Sequence, residues 1–214
     1  VSISTLDPAY TQSSITLSNG NLTGTTNGGG PTQQSGLATT ILKPNVLTGK
    51  WYWEGVLGGS NAAVLLGFGN AAANLSTYCG YDTNSVGVIQ TGYSYYNNVN
   101  FAGPAQSWGI PSSNSIGFAL DLVNKKFWTI VNAGYWNNDT SANPDTNTGG
   151  YDISALVAVN SSIRPMYTLS ASGANYTINL GASPFVAAKP STFNPANLWA
   201  ASAPAYGQML LANI

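Results

Sequence analysis

The sequence predicts an all-β sandwich, and three observations carry that expectation. No long stretch repeats apolar residues at a 3.6-residue period, and the strong helix formers Glu, Lys, Arg and Gln are scarce. Short β-branched and aromatic runs recur instead, separated by turns rich in Asn, Gly and Pro. The 214 residues suffice for one sizeable core, so a single domain is the default.

The elements follow in chain order. Ile15 to Ser18 and Asn21 to Thr23 alternate apolar and polar residues around Asn19-Gly20, the dipeptide favoured in a type I′ turn, so a hairpin opens the domain. Gly28 to Pro31 is a loop, and Leu37 to Leu42 resumes a strand. Trp51 to Leu57 and Ala63 to Phe68 are two further strands; the second is nearly all apolar and is expected at the centre of a sheet, buried on both faces. Ile116 to Leu122 and Lys126 to Val131 flank the turn residues Val123-Asn124-Lys125 as a second hairpin, with Phe118, Leu120 and Leu122 on one face. Ile163 to Ser170 and Asn175 to Leu180 flank Ser172-Gly173-Ala174 and are expected as a third. Gly92 to Pro111 and Ala133 to Gly150 have no periodicity and are expected as long loops, the kind of segment that carries function in a compact domain.

Composition excludes several partners. Only 6% of residues are charged and the formal net charge is −1, so solubility rests on neutral Asn, Ser, Thr and Gly, and no basic patch exists for nucleic acid or anionic lipid. No window approaches the roughly 18 consecutive apolar residues of a membrane span, and membrane insertion is not expected. The opening residue Val1 fits either a trimmed initiator or a piece of a longer polypeptide. One cysteine, Cys79, leaves no intrachain disulfide.

The order of segments resembles a SPRY (B30.2-like) domain. Gly49-Lys50-Trp51-Tyr52-Trp53-Glu54 followed by Leu66-Gly67-Phe68-Gly69-Asn70 looks like the opening of that family, Ser115 to Trp128 is similar to its hairpin, and Arg164-Pro165-Met166-Tyr167 through Tyr176 to Gly181 and Pro184-Phe185 is similar to its closing strands. The resemblance implies a SPRY-like (concanavalin-like) sandwich of two antiparallel sheets over residues 15–199, with a lead-in at 1–14 and an apolar tail at 200–214 that holds Tyr206, Met209, Leu210, Leu211 and Ile214. It also implies binding through loops and no general catalytic residue. Ile15 to Thr23, and Trp136-Asn137-Asn138 through Thr148-Gly149-Gly150, are similar to SPRY-like proteins of bacteriophages and prophages.

The side-chain inventory agrees with a protein that is not an enzyme. The absence of histidine removes Ser-His-Asp and Cys-His triads, histidine general bases and histidine metal ligands. A carboxylate pair would suffice for glycoside hydrolysis, and Glu54, the sole glutamate, lies beside two tryptophans. The favoured reading is nevertheless that it pairs with Lys50, Lys126 or Arg164, or faces solvent. Asp139, Asp145 and Asp152 offer oxygen ligands for calcium, but their spacing fits neither an EF-hand nor a nonapeptide repeat, and turn capping is favoured. Asp121 is read as structural and Cys79 as a small buried hydrophobe. No cofactor and no metal site is expected.

Binding is expected from the first long loop, where Tyr93, Tyr95, Tyr96, Asn98 and Trp108 form the candidate ligand site. Flat rings stack on sugar faces or anchor protein interfaces, and amides hydrogen-bond hydroxyls. Trp136, Asn137 and Asn138 form a second candidate patch, with a framework role as the competing reading. Trp51, Trp53, Trp128, Phe118 and Phe185 are expected in the core. The expected function is a module on the surface of an extracellular phage or phage-like virion, a tail-fibre, receptor-binding or decoration protein. Its expected partners are a host-surface glycan or protein and other virion proteins, and it is expected to form a homo-oligomer. The alternatives are a purely structural virion protein and a carbohydrate-binding accessory domain of a secreted bacterial enzyme.

Overall fold

The computed structural model describes residues 4–27, 34–38, 49–59, 64–103, 114–159 and 162–196. Trp108 and the tail 200–214 lie outside the described residues. In chain order the strands are β1 (Leu6–Thr11), β2 (Ile15–Ser18), β3 (Thr23–Thr26), β4 (Gln34–Ala38), β5 (Lys50–Gly58), β6 (Leu65–Gly69), β7 (Ser85–Ile89), β8 (Ser94–Tyr96) and β9 (Val99–Ala102). After them come β10 (Ser115–Asp121), β11 (Lys126–Val131), β12 (Tyr151–Asp152), the short helix α1 (Ser154–Val159), β13 (Arg164–Leu169), β14 (Asn175–Asn179) and β15 (Asn194–Pro195).

Two sheets result. The first runs β1-β4-β13-β6-β7-β8-β9 and the second β12-β11-β10-β5-β14-β3-β2, with every pair antiparallel; β15 adds a short parallel contact to β5. The sheets meet through the alternate residues that sequence periodicity assigns to one face. Ile116, Phe118 and Leu120 of β10 point inward with Trp53, and they meet Leu66, Phe68, Val86 and Val88 of the first sheet. Phe118 and Trp53 are register partners whose rings stack at 5.3 Å, and Phe68 closes edge-on against Trp53 at 6.3 Å. The lead-in contributes to the sheet: β1 pairs with β4, and Arg164 holds Asp7 at 3.0 Å while lying over the Tyr10 ring.

Strands β5, β6, β10 and β11 coincide with the expected runs, and β6 is buried on both faces as expected. Three local expectations are corrected. The first hairpin pairs Ser18 with Thr23, so four residues, with Asn19, Gly20 and Asn21 all at positive φ, replace the two-residue turn. Second, 94–102 is a hairpin and not a loop: β8 and β9 pair around Asn97-Asn98, whose φ values of 51° and 59° supply the left-handed pair that a tight hairpin requires. Third, β13 and β14 do not pair with each other. β13 lies between β4 and β6 in one sheet and β14 between β5 and β3 in the other. The link through Gly173 therefore arches from sheet to sheet, and the two strands touch across the core, where Tyr167 and Tyr176 stack at 5.3 Å. Tyr176 also lies so close to Gly55 that a Cβ there would come within 1.9 Å of its ring, which explains a glycine in the middle of β5.

Candidate binding site

Each sheet has an outer face that a loop segment must cover. On the first sheet the cover is residues 70–84. Its middle sits directly on the strands: Cys79 is buried among Leu37, Leu65, Ala73 and Met166, its amide donates to Thr168 Oγ1 at 2.9 Å, and its carbonyl lies where a Cβ on Gly87 would stand. The thiol donates to the Val86 carbonyl at 3.0 Å, and burial pushes it well above its ordinary value, so Cys79 is an inert packing residue. Asp82 organises the end of the cover by accepting from the Asn74 and Asn84 amides at 2.9 Å each.

That end meets the β8–β9 hairpin. The Asn98 amide donates to the Gly80 carbonyl at 3.0 Å, the Asn97 amide to the Asp82 carbonyl at 3.2 Å, and the Tyr78 hydroxyl to Asn98 Oδ1. A cleft of about 210 Å³ opens between cover and sheet, lined by Leu65, Tyr78, Ile89 and Tyr95. Tyr78 meets Tyr81 edge-on at 5.3 Å and Tyr95 edge-on at 6.2 Å. Burial, and then the neighbouring hydroxyls of Tyr95 and Tyr81, push the Tyr78 hydroxyl above its ordinary value of 10.0, so it stays a neutral donor at physiological pH.

The expected ligand residues are thereby divided. Tyr95 lines the cleft, Asn98 closes its rim, and Tyr93 is exposed nearby. Tyr96 points to the opposite face of β8 and packs toward Phe101 at 6.5 Å, as strand alternation dictates, so it does not share a platform with Tyr95. The sequence reading missed Leu65, Tyr78, Tyr81 and Ile89. Tyr78 and Tyr81 had a signal, two tyrosines three residues apart in a segment of small and polar residues; Leu65 and Ile89 carry no mark that separates them from other strand residues. A second shallow cleft of about 260 Å³, lined by residues such as Pro8, Thr11, Gln12 and Ile15, holds neither an aromatic ring nor a charge.

The outer face of the second sheet is closed more tightly. Trp128 is fully buried there and donates to the Thr148 carbonyl at 2.7 Å. Asn137 is buried with φ 49°; its side chain accepts from the Thr129 amide at 2.8 Å and donates to the Gly149 carbonyl at 2.8 Å. It ties residues 133–150 to β11 and is a framework residue, not a ligand contact. Trp136 is half-buried edge-on to Tyr52 at 6.1 Å, and Asn138 is exposed. Of the expected core rings, Trp53, Trp128 and Phe118 are fully buried, whereas Trp51 and Phe185 are half-buried.

Glu54 has neither of its expected fates. It is buried, Lys50 pairs with Asp121 at 3.1 Å and Arg164 with Asp7, and among the described residues no cation pairs with it. Its carboxylate instead accepts from Tyr52 Oη at 2.6 Å, Ser115 Oγ at 3.1 Å and the Val186 and Ala187 amides at 2.8 Å each, latching residues 184–187 onto β5. The other carboxylates cap turns: Asp139 accepts from Ser141, Asp152 from Ser154 at the start of α1, and Asp145 from the Ser191 and Thr192 amides at 2.9 and 2.8 Å. Among the described residues no three Cys, Asp or Glu side chains converge on a cation site, and no helix is long and apolar enough to cross a membrane.

Sheets and covers define the class, an antiparallel two-sheet sandwich. Comparison with solved structures makes the class specific: the fold is a SPRY-like (concanavalin-like) sandwich. The SPRY domain of human HERC1 is 15% identical with a TM-score of 0.63, covering 84% of this chain and 99% of that one. The PSpry domain of TRIM65 is 18% identical with a TM-score of 0.57, covering 83% and 92%, and a further human SPRY domain is 16% identical with a TM-score of 0.57, covering 80% and 98%. No protein-family model matches the chain, and no curated protein matches its sequence.

Proposed function

We propose that the chain is a non-enzymatic binding module on the surface of a phage or phage-like particle, in a tail-fibre, receptor-binding or decoration role. It recognises a host glycan or surface protein through the face made by residues 70–84 and the β8–β9 hairpin. One observation carries this reading: Tyr78, Tyr81, Tyr93 and Tyr95 gather at that face half-buried or exposed, where the intersheet core makes no use of them. The SPRY-like fold supports it, since it leaves both outer faces to loops that vary without disturbing the core. The phage setting rests on the similarity of Ile15 to Thr23 and Trp136 to Gly150 to phage proteins.

A second reading, a structural contact with another virion protein, has its own observation. Tyr135 and Val186 are each 60% exposed beside the half-buried Trp136 and Phe185, an apolar patch on the opposite sheet. The two readings separate in one experiment on binding to host cells and to virions. Tyr81→Ala with Tyr95→Ala should abolish host-cell binding while Tm falls by only a few degrees, and Tyr135→Ala with Val186→Ala should leave host binding intact. Host binding that survives the first pair and is lost with the second would overturn the primary reading.

A further inference from the structure

We infer that the cleft of Leu65, Tyr78, Ile89 and Tyr95 is a subsite for a single uncharged pyranose ring of a host saccharide. This rests on the binding reading above and commits it to a ligand class. Size is the first argument. At about 210 Å³ the cleft lies below the roughly 300–1,000 Å³ of a pocket that encloses a drug-sized ligand, so it takes one ring and not a chain.

Shape and chemistry are the second. Tyr78 stands at 84° to both Tyr81 and Tyr95, so the walls are perpendicular and a flat, C–H-lined ring lies against one aromatic face while its hydroxyls turn to the mouth. Donors and acceptors for those hydroxyls are present. Tyr78 occupies Asn98 Oδ1, which leaves the Asn98 amide nitrogen and the Tyr95 hydroxyl without a partner among the described residues. A purely apolar partner side chain would bury these groups unsatisfied, at a penalty a hydroxylated ring avoids.

Charge is the third. None of the lining residues is charged, and no charged residue stands between Asp82 and Asp121 in the sequence. Asp82 itself is occupied by the amides of Asn74 and Asn84. A sialic or uronic acid would lose water at its carboxylate and find no cation among the described residues that line the cleft, so the neutral sugar is favoured.

The probes are glucose, galactose and mannose as neutral pyranoses and glucuronic acid as the charged one, titrated into isotope-labelled full chain with amide shifts followed by NMR. Saturable binding of at least one neutral sugar is expected, with Kd about 1–10 mM as befits one small ring, and with shifts centred on Tyr78, Ile89, Tyr95 and Asn98. Tyr95→Ala should weaken it at least tenfold, Tyr95→Phe less because the ring remains, and the rim variant Tyr81→Ala less still. No saturable neutral sugar, tighter binding of glucuronic acid than of every neutral sugar, or affinity unchanged in Tyr95→Ala overturns the inference. Host-cell binding measured on the same variants keeps the two readings apart. Cell binding that needs Tyr95 without any sugar binding sinks the saccharide and leaves a protein receptor, whereas sugar binding without cell binding sinks the receptor role alone.

Discussion

The two outer faces of the sandwich are covered by segments of similar composition, mostly small and polar residues with a few aromatic rings, yet they end in different states. On the second sheet, residues 133–150 and 179–196 are stitched down by the buried side chains of Asn137, which reaches β11, and Glu54, which takes the Val186 and Ala187 amides, while the partly exposed Asp145 ties the two segments together through Ser191 and Thr192. Trp128 and Phe193 fill the space beneath them, 6.4 Å apart and edge-on. On the first sheet, residues 70–84 are anchored at Cys79 and Asp82, but beyond those anchors the tyrosines stand apart and leave a cleft. Composition does not distinguish a sealed cover from an open one. The difference lies in where the polar contacts fall: on the first sheet Thr168 Oγ1 takes the Cys79 amide and Ser35 Oγ donates to the Thr77 carbonyl, which holds the middle of the cover, while the tyrosines beyond meet only edge to edge.

The largest expected effect breaks the sealed face. Trp128→Ala should cost about 3–5 kcal/mol and lower Tm by about 6–20 °C for a chain of this size, read by thermal denaturation. Loss of under 1 kcal/mol would mean that this face is as open as the other. Next is the latch. Glu54→Ala strands two amides and two hydroxyls, and should cost about 2–4 kcal/mol, with Glu54→Gln costing about half because one acceptor oxygen remains. Amide exchange at Val186 and Ala187 should accelerate in both variants, and unchanged exchange there would remove Glu54 from this role.

The smallest effect concerns pH and sharpens the comparison at its edge. Burial alone would raise the Asp145 carboxyl, but hydrogen bonds from Thr192 and Ser191 outweigh it and hold the group below its ordinary value of 3.8. A depressed folded value places the stabilising contribution above pH 3.8, to be lost as the pH falls through the lower folded value. The Ser191 and Thr192 amide resonances should therefore titrate with a midpoint below 3.8, a transition that Asp145→Asn abolishes. A midpoint at or above the ordinary value would contradict the tether.

What the sequence determined by itself was whatever depends on neighbours within one strand or turn. The alternation of Ile116, Phe118 and Leu120, the unbroken apolar run that became β6, and the turn chemistry after Asp121 were all readable, because side-chain direction in a strand repeats every two residues whatever the strand pairs with. From those runs follow an all-β class, the intersheet core and, through the order of segments, a SPRY-like sandwich. The β8–β9 hairpin was within reach but hidden, since Asn97-Asn98 supplies its turn and tyrosines on both faces erase the polar-apolar contrast. Only the tertiary structure decided which sheet each strand joins: β13 and β14 look like one hairpin, but burial against β6 and β5 separates them. It also decided the site. Leu65, Tyr78, Ile89 and Tyr95 come from four separated segments, and the partners of Glu54 come from residues 115, 186 and 187. Such contacts arise from the packing of whole layers, a nonlocal sum of burial that no single stretch of chain encodes.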